Sequence, residues 1–364
     1  VYQRPQHLLT RAATKWRVFY IEEPVFDAVN PWMSVRHDVS GVTVVVPHVP
    51  REGGAVAIQM LLDFFMSAHG IERYIAWYYT PMALQFSSHL KPMAVVYDCM
   101  DELSGFAGAP PGLQKTERSL LARADLVLTG GHSLYLAKRQ LHRNVHEFPS
   151  SVDVRHFGAA RQAGADPGDQ YGIPRPRIGF FGVLDERLDR DLVGRIAERC
   201  PGWHFVLIGP VAKIPVDALP RAPNLHYLGP KPYALLPKYI AGWDAAMLPF
   251  ARNEATRYIS PTKTPEYLAA GKPVVSTSIA DVVRPYGENG LAWIADDPDE
   301  FVEALRHALC SRPSEWLPRA DEFLAGNSWD ATWTRIHERV RAAIIDRQRR
   351  NQTVGSLASP AAHP

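Results

Sequence analysis

Short apolar runs alternate with longer stretches in which apolar positions recur at helical spacing, and the alternation continues along most of the chain. In the first half, residues 17–21, 42–46, 94–98, 126–129 and 144–148 read as strands. Helical patterns cover 5–15, with Pro5 near its first turn, then 56–65, 113–123 and 134–141. The stretch 161–177 is Gly, Ala, Asp, Pro and Arg without periodicity, which predicts a linker. The alternation then resumes. Strands are expected at 177–181, 204–208, 225–228, 245–248 and 273–277, and helices at 190–199, 233–240, 265–270 and 298–309. Most of these strands are continuously apolar, as in a parallel sheet covered on both faces. The pattern predicts an α/β protein with two Rossmann-like parallel-sheet domains, 1–160 and 175–325. A ligand cleft is expected between them, where strand C-terminal ends open. Two more helices follow, 316–325 and 329–345. Trp329, Trp333, Ile336, Val340 and Ile344 form a stripe on the last one, which reads as a packing face. Residues 347–364 carry no core signal and are expected to be disordered.

Composition narrows the function classes. A chain of 364 residues with 46% hydrophobic and 21% charged residues is long enough for two cores and is not disordered. Lys and Arg number 40 against 38 Asp and Glu, a balance of +2, so no nucleic-acid partner is expected. Cys99, Cys200 and Cys310 are far apart and form neither a metal spacing nor a disulfide framework, which points to a reducing, cytoplasmic setting. No apolar run reaches the ~18 residues of a membrane span. The short basic run at 347–350 leaves peripheral contact with the inner membrane face open, as a weak one. The helical pattern so close to Val1 predicts that the first strand is truncated.

The chemistry-bearing residues are few. No Gly-x-Gly-x-x-Gly and no Walker motif follows a strand, which disfavours hydride transfer and P-loop phosphoryl transfer. Gly182, just after the 177–181 strand, could let the backbone approach a phosphate, or simply turn the chain. Asp98 and Asp101 stand three apart at a strand end, where a side chain faces the cleft. Without a phosphate loop they are a weak metal pair, and Asp101 could equally cap the next turn. The richest segment is 253–277. A polar loop opens a helix there, with Lys263 as a charge for phosphate, and helix-start amides are anion donors. Glu266, in the first turn, can accept two hydrogen bonds from a vicinal diol such as a ribose, or can merely favour the helix dipole.

The block Lys263…Glu266-Tyr267-Leu268-Ala269-Ala270-Gly271-Lys272-Pro273-Val274-Val275 resembles the donor-binding signature of GT-B glycosyltransferases, close to family 4 and bacterial cell-surface polysaccharide enzymes. Ser151-Val152-Asp153 with Phe157, the 206–210 and 224–229 stretches, the 236–249 segment and Arg4-Pro5-Gln6-His7-Leu8 fit the same family in order and spacing. The resemblance implies a cleft enzyme that moves a sugar from a nucleotide diphosphate sugar to a saccharide or lipid-linked acceptor. It implies retention of configuration, no metal and no resident cofactor. It implies Lys263 and Asp101 as catalytic groups, and Glu266, Ser260, Thr262, Gly182, Arg187, Gly209 and Lys231 around the donor. Arg4, Gln6 and His7 fall on the acceptor side, and the last helix returns to the N-terminal domain. The family usually carries two glutamates separated by seven residues. Glu266 matches the second, but the first position is Tyr258. That departure keeps two alternatives open: a non-catalytic nucleotide-sugar-binding subunit, and an epimerase or phosphorylase on the same fold.

Overall fold

The computed structural model describes residues 3–106, 108–162 and 164–357. The C-terminal half is built on a six-stranded parallel sheet. Its strands are β8 (Arg177–Phe181), β9 (His204–Ile208), β10 (Leu225–Tyr227), β11 (Ala245–Leu248), β12 (Val274–Ser276) and β13 (Trp293–Ile294), in the order β10-β9-β8-β11-β12-β13. β8 and β11 are buried along their whole length, which explains their unbroken apolar runs. Gly179 in β8 is required by packing: a methyl there would lie 2.0 Å from the ring of the fully buried Trp243.

The N-terminal half holds two sheets. β4 (Ile75–Tyr78), β5 (Ala94–Cys99), β6 (Leu126–Thr129) and β7 (Val145–Glu147) are parallel and in sequence order. β1 (Val18–Ile21) pairs parallel with β3 (Val42–His48), and β2 (Trp32–His37) pairs antiparallel on the outer edge of β3. Three strands escape the sequence pattern. β2 is a largely exposed edge strand, β4 is only four residues of which just Tyr78 is buried, and β13 is only two, so none carries a long buried run.

The chain crosses between the halves twice, and the crossings touch. Val152 bridges to Ser328, and the Ser151 and Thr332 hydroxyls lie 2.7 Å apart. Asp153 then caps the helix Val154–Gly158 by accepting from His156 N at 3.0 Å. The final helix, Trp329–Leu357, lays Trp329, Trp333, Ile336, Val340 and Ala343 against Leu8, Val96, Leu126 and Leu128 of the N-terminal half. This helix does not stop where the apolar stripe ends. Residues 347–357 are helical rather than disordered, because Arg347 and Arg350 both reach the buried carboxylate of Asp125. Residues 358–364 of the expected tail lie outside the described residues.

Candidate functional site

The cleft is built from strand-end loops. Gly182 follows β8 and Gly209 follows β9, with φ of 157° and 150°. A methyl on Gly209 would fall 1.7 Å from the Gly182 carbonyl oxygen, so the two loops meet backbone to backbone and position 209 has no room for a side chain. The helix Lys263–Ala269 starts beside them. Tyr267 anchors it to β8 by accepting from Phe181 N at 2.9 Å. Lys263 extends over Phe181, its Nζ 5.5 Å from the ring centre, and donates to Thr262 Oγ1 at 3.1 Å. A Cβ on Gly182 would meet the Lys263 stem at 3.4 Å, which places the ammonium group at the mouth of the glycine loops.

Glu266 lies one turn into that helix. Its Oε2 is sealed from solvent and meets no hydrogen-bond donor among the described residues. Burial pushes its carboxyl up to about 7, and the nearby Lys263 charge only partly opposes this. Thr264 Oγ1, in the first turn, is also buried without a partner among the described residues. A carboxylate with one oxygen sealed from water and no donor on it is costly, and hydroxyl donors from a ligand would relieve it.

Asp101 reaches the same region from the other half, just beyond β5. Burial raises its carboxyl, while Arg187 and Lys263 across the cleft favour the ionised form. Arg187 is itself held by both oxygens of Asp185, with Nη2 to Oδ2 at 2.7 Å, and lies over the Phe106 ring. Lys213 approaches the same ring, with Nζ 4.7 Å from its centre. Sequence reasoning had no signal for Phe106, which carries the N-terminal loop into the C-terminal half.

Other sequence expectations are placed differently. Arg4 does not face a cleft ligand. It is buried in an ion pair with Asp98, Nε to Oδ1 at 2.9 Å, and donates to the Phe148 carbonyl at 2.6 Å. Asp98 is thereby a structural partner rather than half of a metal pair. Gln6 is exposed and accepts from Gln3 N at 3.0 Å, closing a capping box on its own helix. His7 stacks on Trp329 with ring centres 4.5 Å apart, and burial drives its imidazole down to about 4, so the ring is neutral. Lys231 pairs with Asp169 at 2.7 Å in the linking segment and lies over Tyr239. Ser260 sits against Gly131 at the seam between the halves. The helix-start amides are also less available than expected. Thr264 N donates to Pro261 O, Glu266 N to Thr262 O, and Pro265 has no N–H, which leaves an anion mainly the Lys263 amide and its charge. Tyr258 packs half-buried against the N-terminal core, presenting no carboxylate.

Residues 175–311 match the family described as glycosyl transferases group 1. The chain is 28% identical over 262 residues to TuaH of Bacillus subtilis (strain 168), a glycosyltransferase assigned to teichuronic acid biosynthesis. That match covers 67% of this chain and 65% of TuaH, so the chain spans about two thirds of that relative's length. Sucrose-phosphate synthase from Thermosynechococcus elongatus superposes with a TM-score of 0.72 at 13% identity, covering 94% of this chain and 92% of that one. The trehalose-6-phosphate protein of E. coli, solved with UDP-2-fluoro glucose, gives 0.70 at 14% identity, covering 93% and 95%. Anabaena HepE, solved with UDP and glucose, gives 0.62 at 16% identity, covering 83% and 87%. These likenesses show the GT-B fold, and with the family match they bear out the resemblance read from the sequence.

Proposed function

We propose that this chain, whose residues 175–311 form a group 1 glycosyltransferase domain on a GT-B fold, moves a sugar from a nucleotide diphosphate sugar to a saccharide or lipid-linked acceptor. The observation that carries the reading is Glu266: a half-buried carboxylate whose Oε2 is sealed and meets no donor among the described residues, one turn from Lys263, whose stem lies against Gly182. A ribose diol supplies hydroxyl donors to that carboxylate, and a diphosphate supplies the charge that Lys263 faces. Uridine nucleotides are the favoured donors, because two structural neighbours were solved with UDP compounds. A polysaccharide acceptor fits the assignment of TuaH to teichuronic acid biosynthesis.

In this reading the chemistry is mainly electrostatic. Charge builds on the diphosphate as the glycosidic bond breaks, and Lys263 meets it in a site shielded from water. Arg187, fixed by Asp185, adds positive charge near the same point. Asp101 faces both cations from the acceptor half, and in this reading it is the carboxylate that addresses the acceptor hydroxyl. Retention of configuration and independence from metal complete the proposal.

Tyr258 favours a second reading. It stands where the family usually has an acidic residue, and it is turned into apolar packing. A nucleotide-sugar-binding subunit without turnover would need no carboxylate there. Purified protein given UDP-glucose, with and without a saccharide acceptor, separates the two. Release of UDP that is lost in Lys263→Ala supports the enzyme, and tight binding without release, across a panel of donors and acceptors, supports the binder.

A further inference from the structure

The helix His132–Lys138 starts at Gly131, which has no side chain to cap it. The other half of the chain supplies the cap: Asp281 Oδ1 accepts from Ser133 N at 2.9 Å. Asp281 follows β12, in the short helix Ala280–Val282, and is 4% exposed. The seam is tight at this point. A methyl at position 131 would lie 1.9 Å from Asp281 Oδ2 and 2.7 Å from Ser260 Cβ. His132, paired with Glu147 at 2.8 Å, flanks the carboxylate. Asp281 Oδ2 and Ser133 Oγ meet no hydrogen-bond partner among the described residues. Closing the seam therefore removes Asp281 from water and returns the Ser133 backbone hydrogen bond with only weaker help from the Ser133 side chain and His132, a balance that suits a contact that forms and breaks.

The same helix ends at a second fixed point. Lys138, 3% exposed, donates to Glu102 Oε2 at 2.6 Å and to Glu117 Oε1 at 2.7 Å. Ser104 donates to the other Glu102 oxygen at 2.7 Å. Glu102 adjoins Asp101, and Phe106 lies at the end of the same loop. One rigid helix about 10 Å long thus links the Asp281 contact to the loop that carries Asp101.

We propose that Asp281 is a positioning residue: it caps the His132–Lys138 helix in trans and so holds the two halves where Asp101 meets Lys263 and Arg187. Its consequence for turnover rests on the donor-site reading above, but the contact itself does not.

The test uses the full chain without ligand, as wild type, Asp281→Ala, Asp281→Asn and Gly131→Ala. Gly131 has φ of −169° and ψ of 171°, extended backbone that alanine adopts, so that variant folds and blocks the seam from the other side. Small-angle scattering should give a larger radius of gyration for Asp281→Ala and Gly131→Ala. Asp281→Asn should stay near wild type, because its amide oxygen still accepts from Ser133 N. Equal radii for all four proteins overturn the proposal. With UDP-glucose as probe donor, Asp281→Ala should turn over about 3- to 30-fold more slowly, the span of a lost helix cap, with UDP affinity within about twofold of wild type. A loss of melting temperature shared by Asp281→Ala and Asp281→Asn, with unchanged radii and turnover, marks a merely structural residue and also overturns it. If none of the four proteins binds UDP while the radii separate as expected, the donor-site reading falls and the positioning role of the contact stands.

Discussion

Glu266→Gln should raise the stability of the unliganded protein and weaken nucleotide binding, and both effects should depend on pH. Burial lifts the Glu266 carboxyl from 4.5 to about 7 in the folded chain. A carboxyl with a raised folded pKa is stabilising when protonated, so its contribution is favourable below pH ~4.5 and is lost as pH rises through ~7. At pH 8 the ionised group costs the folded state about 3 kcal/mol, and a neutral glutamine of the same shape escapes that cost. Binding runs the other way. A ribose diol donates to the carboxylate, so the competent form is the ionised one, roughly a tenth of molecules at pH 6 and nine tenths at pH 8. Apparent donor affinity in wild type should therefore improve about tenfold across that interval. Glu266→Gln should bind about 10- to 100-fold more weakly at pH 8, from the loss of charged hydrogen bonds, and show no such slope. Calorimetry with UDP-glucose, which has no group titrating in this range, measures both slopes, and urea unfolding measures the stability. If Glu266 serves only the helix start, Glu266→Gln loses a few tenths of a kcal/mol and binds normally. That result, or a wild-type affinity flat from pH 6 to 8, refutes the reasoning.

Lys263→Ala should lower turnover more than donor affinity, because it removes charge stabilisation that grows as the diphosphate departs; steady-state kinetics beside UDP titration checks this. Gly209→Ala forces a methyl against the Gly182 carbonyl oxygen, so nucleotide binding should fail with a stability loss of about 1–3 kcal/mol, read by titration and thermal melting. Arg4→Met leaves Asp98 buried and unpaired and should cost about 3–5 kcal/mol in urea unfolding. Arg4→Met with Asp98→Asn should recover much of that loss, and a single-variant loss below about 1 kcal/mol contradicts the pairing.

The C-terminal half was the more legible in sequence, for a physical reason. Its strands β8, β9 and β11 are buried on both faces, so burial writes itself as unbroken apolar runs, and helix and linker signals stand out between them. Lys263 and Glu266 could be read because one local segment holds both. Roles fixed by distant partners could not be. Arg4 and Asp98 are 94 positions apart, and nothing local tells a buried pair from a ligand contact. Lys231 looks like a free cation until Asp169 is brought beside it by the fold. The Asp281 cap spans 148 positions and left no motif at all. The expected tail failed similarly, since Arg347 and Arg350 continue the helix through a carboxylate on a different element, Asp125.

The central claim is that the nucleotide of the donor sits on Lys263 and Glu266. A crystal structure of the full chain with UDP, or with whichever nucleotide diphosphate it binds most tightly, tests this directly. The account predicts ribose hydroxyls within hydrogen-bond distance of the Glu266 carboxylate, with the diphosphate between Lys263 and the Gly182–Gly209 loops. A nucleotide bound with Glu266 still sealed and unpartnered, or bound outside the cleft, contradicts it.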